Sequence, residues 1–286
     1  MHPHWDTLIV DLDGTILNKA GEISERNLLA FKEVSNQGIE IIIATGRCYA
    51  ECSHVMGWLG HKGVSICAGG STLHNASGKT IEASYVPFEI VQEVSNLLTA
   101  KGHRCLLLKD IDISEVQYVL VGEVELHDAS KWWFDEHDIS YIEVNQLEDD
   151  PWKDKTVRAG AVACELMLDP IARNIELQLR DAATIQHWSA VTSSEATGSV
   201  VHLLEVFGKN VSKLSMLKKY FKESFNKDRV VAIGDGLNDV ELLKGVGLSI
   251  AMDNATDFVK SHAQHVCGHH EKDGFADAMV TWILST

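Results

Sequence analysis

The sequence predicts an α/β protein: a parallel sheet covered by helices on both faces, with a separate α+β segment inserted into it. Three observations carry this expectation. Short apolar, β-branched runs alternate with helix-length segments at both ends of the chain, each run stops at a polar or glycine-containing loop, and the rhythm changes over 86–190.

The first run, 7–10, reads Thr-Leu-Ile-Val and passes straight into Asp11-Leu12-Asp13-Gly14-Thr15, a buried strand feeding a polar loop. Ser24 is placed to cap a helix whose apolar side holds Leu28, Leu29, Phe31 and Val34, and Gly38 is placed to end it. Strands at 39–44 and 64–67 follow, ending in Thr45-Gly46-Arg47 and Ala68-Gly69-Gly70. Strand, helix, strand with wholly apolar strands implies parallel pairing. The same grammar returns late in the chain: a helix at 212–221, a strand at 230–233, the loop Gly234-Asp235-Gly236-Leu237-Asn238-Asp239, a helix from Val240, and short strands at 248–251 and 265–267.

Between these ends, a helix over 89–101 carries Ile90, Val91, Val94, Leu97 and Leu98 on one side, with Gly102 beyond it. Strands at 103–108 and 117–121 are joined too briefly for a parallel crossover. A strand at 156–164, a helix from Pro170 to Asp181 and a strand at 185–191 complete the segment. The expected division is a core of 1–85 with 191–286, and an insertion of 86–190.

A chain of 286 residues suits one large or two modest domains, and 45% hydrophobic with 23% charged residues is ordinary for a globular protein. Acidic residues outnumber basic ones 41 to 25, a formal charge of -16, which argues against nucleic acid or a membrane as partner. An anionic substrate would then need local positive charge. No apolar run reaches membrane-spanning length and Met1-His2-Pro3-His4-Trp5-Asp6 lacks a signal-peptide pattern, so a cytoplasmic protein is expected. Cys48, Cys52, Cys67, Cys105, Cys164 and Cys267 form no CxxC pair and fit reduced thiols, with Cys48 and Cys52 spaced to share a helix face.

The chemistry-bearing residues sit where the apolar runs stop. An ionised carboxylate at Asp11 would be costly at a buried strand end unless it held a metal or reacted. Asp13 faces the same way if extended geometry continues, so one acid could attack while the other carries the proton. Asp13-Gly14 is also a hairpin signal, although the strand after it, Ile16-Leu17, would be very short. Asp235 follows an apolar strand and capping does not explain it; Asp239, at a helix start, is as a lone residue better explained by capping. Carboxylates gathered from two loops repel unless a hard divalent cation bridges them, and Mg2+ accepts such ligands together with a substrate phosphate. Lys213 follows the good cap Ser212, where its charge is mildly unfavourable; it fits either a functional ammonium or a solvated face shared with Lys209, Lys218, Lys219 and Lys222. Thr45 offers a hydroxyl to a phosphate or simply forms a turn. The aromatic run Trp132-Trp133-Phe134 is read as core or domain contact, and His2, His4, His269 and His270 as surface residues.

These residues resemble the haloacid dehalogenase superfamily of phosphohydrolases, in particular its Cof-type branch with a large α/β cap. Asp11-Leu12-Asp13-Gly14-Thr15 is similar to the family's DxDGT, Ala44-Thr45-Gly46-Arg47 to its second motif, Val211-Ser212-Lys213 to its third, and Gly234-Asp235-Gly236-Leu237-Asn238-Asp239 to GDGxND. The resemblance implies a Rossmann-like core, Asp11 as nucleophile, Asp13 as general acid and base, Thr45 on the transferring phosphoryl group, and Lys213 stabilising charge. It further implies magnesium held by Asp11, Asp13, Asp235 and Asp239, and substrate contacts from Gly46, Arg47, Asn238 and Asn254. Asn254 lies in Ala251-Met252-Asp253-Asn254-Ala255, which resembles a downstream Met-Gly-Asn-Ala signature with Asp253 where Gly is usual. The implied activity is hydrolysis of a small phosphorylated metabolite, such as a sugar phosphate, under a cap that closes over the strand ends. A phosphomutase, and a non-enzymatic switch phosphorylated on aspartate, are the alternatives; the presence of Asp13 favours turnover over a switch.

Overall fold

A computed structural model describes residues 5–189 and 201–284. The expected strand end at Val191, and His2 and His4, lie outside the described residues. The chain forms two compact units, Met1–Ile81 with Ser212–Thr286, and Glu82–Val211.

The first unit is built on eight strands in the order β14-β13-β12-β1-β2-β3-β4-β5. They are β1 (Thr7–Val10), β2 (Glu40–Ala44), β3 (Ser65–Cys67), β4 (Thr72–His74), β5 (Thr80–Ala83), β12 (Val230–Gly234), β13 (Leu248–Ala251) and β14 (His265–Val266). From β14 to β3 every pairing is parallel, and β4 returns antiparallel on β3. All four residues of β1 are buried because the sheet is covered on both sides. Leu8 and Val10 pack with Ile41, Ile43, Val231 and Ile233 under the helices Glu25–Asn36 and Gly274–Met279. Ile9 faces the other way, with Ile42, Ala232, Met216 and Leu217.

Ser24 does cap the first helix, its side chain accepting from Asn27 N. The helix Tyr49–Leu59, which the Cys48 and Cys52 spacing allowed, starts just after Cys48 and buries Cys52, and all six cysteines are free thiols.

The second unit is a six-stranded sheet in the order β10-β11-β9-β6-β7-β8. Its strands are β6 (Cys105–Lys109), β7 (Tyr118–Val121), β8 (Tyr141–Val144), β9 (Thr156–Cys164), β10 (Ala183–Ser189) and β11 (Val201–Gly208). Pairing is antiparallel except between β7 and β8, which the helix Asp128–Glu136 connects. Helices Phe88–Thr99 and Glu165–Leu179 cover one face, burying Val91, Val94, Leu98, Leu168 and Ile175 on Leu107, Ala159, Ala161 and Leu204.

Two expectations need correction here. The insertion does not stop at 190, because β11 pairs with both β10 and β9 and so belongs to this sheet. The helix expected from Pro170 begins at Glu165, with Pro170 inside it. Proline removes one intrahelical bond, but Leu168, Ile171, Ala172 and Ile175 keep the apolar stripe continuous across it, and that burial outweighs the lost bond. Phe134 of the aromatic run is core, packed on Tyr118 and Tyr141, while Trp133 stacks on His137.

Candidate active site

Register explains why distant motifs meet. Val10 lies opposite Ile233 on one side and Ile43 on the other, so β1 ends within one residue of β12 and β2 at the same edge. Asp11, Thr45 and Asp235 are each the first residue past those ends. Chain order reverses across β1, which has the amino-terminal β2 on one flank and the carboxyl-terminal β12 on the other. A crevice outside the carboxyl ends of parallel strands at such a reversal is where open α/β sheets bind ligands.

At that edge Lys213 is fully enclosed and its Nζ donates to Asp11 Oδ1 and Asp239 Oδ1, each at 2.7 Å. Lys213 opens the helix Lys213–Phe221, where Ser212 accepts from Ser215 N and Ser215 Oγ accepts from Ser212 N. Gly70 allows the preceding turn to approach: its φ is +109°, and a Cβ there would lie 2.2 Å from the Ser212 carbonyl. The solvated-face reading of Lys213 is thereby overturned.

Carboxylate oxygens of Asp11, Asp235 and Asp239 lie within 4.8 Å of one another. Asp239 is not a simple cap; its Oδ2 accepts from the backbone N–H groups of Asp235 and Gly236, shaping the loop that carries Asp235. Asp235 in turn accepts from Thr15 Oγ1 at 3.2 Å and Asn254 Nδ2 at 2.9 Å. Gly14, at φ +71°, leaves room for it, since a Cβ there would meet Asp235 Oδ2 at 2.2 Å. That contact disposes of the hairpin reading: Asp13-Gly14 belongs to a compact loop over Asp235.

Three acids against one ammonium leave negative charge in excess. Burial holds the Asp11 carboxyl well above the ordinary range, with Asp239 and Asp235 adding repulsion and Lys213 opposing. Burial and then Asp239 push Asp235 up to about 7. Burial alone would lower Lys213, yet Asp11 and Asp239 hold it above its ordinary value, so the ammonium keeps its proton.

This donor set suits a hard divalent cation: three clustered carboxylates, excess negative charge, and oxygen atoms only. Asp13, expected among the ligands, does not join them. Both of its oxygens accept from Arg47, from Nε at 2.7 Å and Nη2 at 2.5 Å. Asp13 itself is extended, but the left-handed turn at Gly14 breaks the run, and the bidentate guanidinium fork fixes its carboxylate.

Arg47, expected on substrate, is thus spent on Asp13. Thr45 is fully buried at its strand end, its Oγ1 accepting from Arg47 N. Gly46 sits beside Asn238, whose Nδ2 would be 3.3 Å from a Cβ at that position. Asn254 is also committed to the protein: Nδ2 donates to Asp235 and Gly14 O, and Oδ1 accepts from His270 N. His270 is not a surface residue; it is buried, with Nδ1 2.8 Å from Leu17 O. Sequence reasoning missed Thr15 and His270 as supports of Asp235, although the threonine inside Asp-Gly-Thr was a usable signal.

A family model described as haloacid dehalogenase-like hydrolase matches residues 8–279. The chain belongs to that family. This hydrolase is 26% identical over 282 residues to the 5-amino-6-(5-phospho-D-ribitylamino)uracil phosphatase YcsE of Bacillus subtilis, covering 97% of this chain and 95% of the relative. Its fold is shared with a haloacid dehalogenase-like hydrolase from Bacteroides thetaiotaomicron (TM-score 0.77, 22% identity, 96% of this chain and 98% of the other). A subclass IIB sugar phosphatase is similar at TM-score 0.75 and 19% identity, covering 96% and 97%. Among the described residues of the hydrolase, no helix is long and apolar enough to cross a membrane.

Proposed function

We propose that this hydrolase is a Mg2+-dependent phosphatase of small phosphomonoesters, sugar phosphates or related metabolites, working through a phospho-aspartate at Asp11. The observation that carries this reading is the buried group of Asp11, Asp235 and Asp239 about Lys213, at the carboxyl edge of β1. Relatives that are themselves phosphatases support the same class of reaction.

In this reading an Asp11 oxygen attacks phosphorus, the ester P–O bond breaks, and Asp13 gives a proton to the departing oxygen. Asp13 then takes a proton from water as that water attacks phosphorus, the Asp11–phosphorus bond breaks, and inorganic phosphate leaves. To carry the proton Asp13 has to release at least one of its bonds to Arg47, which gives Arg47 the role of holding Asp13 between turnovers. Lys213 offsets charge on Asp11, and Thr45, with the backbone N–H groups near it, receives the phosphoryl oxygens. Magnesium, held by Asp11, Asp235 and Asp239, would neutralise phosphate charge and align the group for attack. The inserted unit, 82–211, would supply selectivity for the leaving group, in a cytoplasmic setting.

A panel of phosphorylated metabolites and p-nitrophenyl phosphate, assayed with millimolar Mg2+ and again with chelator, tests the reading. Release of inorganic phosphate that falls at least ~100-fold in chelator is expected. Activity indifferent to chelator would refute the metal assignment, and isomerised hexose phosphate without free phosphate would make the protein a mutase.

A further inference from the structure

Within the inserted unit, two histidines are arranged as their place in the sheet does not require. His187 on β10 stands opposite Leu204, and His202 on β11 stands opposite Ser189, so the two are diagonal neighbours on one face. His202 Nδ1 lies 3.3 Å from His187 Nε2, and the ring centres are 5.0 Å apart with planes at 57°. On the far side of its ring, His202 Nε2 is 3.9 Å from Glu165 Oε2, at the start of the helix Glu165–Leu179. Asp169, one turn along that helix, acts electrostatically on His187.

Two arrangements could bring the nitrogens this close. A straight N–H···N hydrogen bond of this length would hold the ring centres about 5.5 Å apart. A tetrahedral ion about 2.0–2.1 Å from each nitrogen, met by both in-plane lone pairs, separates the nitrogens by about 3.3 Å and the ring centres by about 5 Å. Bending the hydrogen bond also shortens the centre-to-centre distance, so the observed pair forms a hydrogen bond whose two nitrogens already stand at the separation a tetrahedral ion needs.

We propose that His187 Nε2 and His202 Nδ1 form a binding site for a zinc-class divalent metal ion, with Glu165 accepting from the outer N–H of His202 and water completing the shell. Ligating imidazoles ordinarily donate their second N–H to a carboxylate, and Glu165, exposed and with Oε2 3.9 Å from His202 Nε2, reaches that position by turning its side chain. Nitrogen ligands select this ion from magnesium, whose all-oxygen donor set is the aspartate group of the other unit. A bound ion would tie the β10–β11 pair to the first turn of the helix, stabilising that edge of the sheet. Neither the site nor its test depends on the phosphatase reading.

The test is calorimetric titration of the full-length protein with Zn2+ in millimolar Mg2+, with Co2+ absorption reporting geometry. One equivalent with a micromolar Kd is expected, accompanied by a rise in Tm. His187→Ala and His202→Gln should each abolish it, and Glu165→Gln should weaken it about 10-fold. A variant-free measurement runs beside these: diethyl pyrocarbonate labelling of His187 and His202, mapped by mass spectrometry, should be suppressed by Zn2+. Full labelling in the presence of Zn2+, or an equivalent that survives both histidine substitutions, would overturn the proposal.

Discussion

Asp11→Asn is expected to remove phosphate release from p-nitrophenyl phosphate by roughly 10⁴-fold or more, the scale of losing a nucleophile that acts with its neighbours as a unit. The substitution keeps the shape of the side chain and an oxygen acceptor for Lys213 Nζ, so the loss comes from chemistry and not from collapse. Stability separates the two. Because burial already holds the Asp11 carboxyl above its ordinary range, exchanging it for a neutral amide relieves repulsion with Asp239 and Asp235. In metal-free buffer the variant should therefore melt at or above the temperature of the parent chain. A variant that is both inactive and strongly destabilised would point to a structural role for Asp11.

Lys213→Met should damage both properties. Its ammonium is fully enclosed and holds Asp11 and Asp239 at 2.7 Å each, so removing it strands buried carboxylates. Breaking a buried ion pair from one side typically costs about 3–5 kcal/mol, a large fraction of a domain's stability. Denaturant unfolding in chelator should show a loss on that scale, partly recovered by millimolar Mg2+ as the cation replaces the missing charge. Activity should fall by about 10²–10³-fold even in the folded, magnesium-loaded protein, since a preorganised positive charge beside Asp11 is gone. Near-parental stability in chelator would contradict the charge balance drawn for this site.

Much of this was legible in the sequence because the information is local. Apolar runs such as Thr7–Val10 and Val230–Gly234 are strands buried on both faces, and the register alone brings the acidic residue at the end of each to the same sheet edge. Ser212 before Lys213 signalled a helix start, and the structure uses that start to aim the lysine at Asp11.

What the sequence hid depends on pairings across long separations. Asp13 looked like a fourth ligand because nothing in its neighbourhood announces the guanidinium of Arg47, 34 residues away. Asn254 looked like a substrate contact, and His270 like a surface residue, until their mutual bond and the link to Asp235 were visible. The far end of the insertion was misplaced for the same reason: β11 joins the second sheet through antiparallel partners on both sides, which hydrophobic pattern alone does not reveal.

The claim at the centre is that Asp11 becomes covalently phosphorylated. Rapid quenching of the protein with substrate and Mg2+, followed by borohydride reduction and peptide mass spectrometry, converts an acyl phosphate into homoserine at the position that carried it. The account predicts homoserine at position 11, appearing only with substrate present. Reduction at another carboxylate, or an unmodified Asp11 throughout steady turnover, would contradict it.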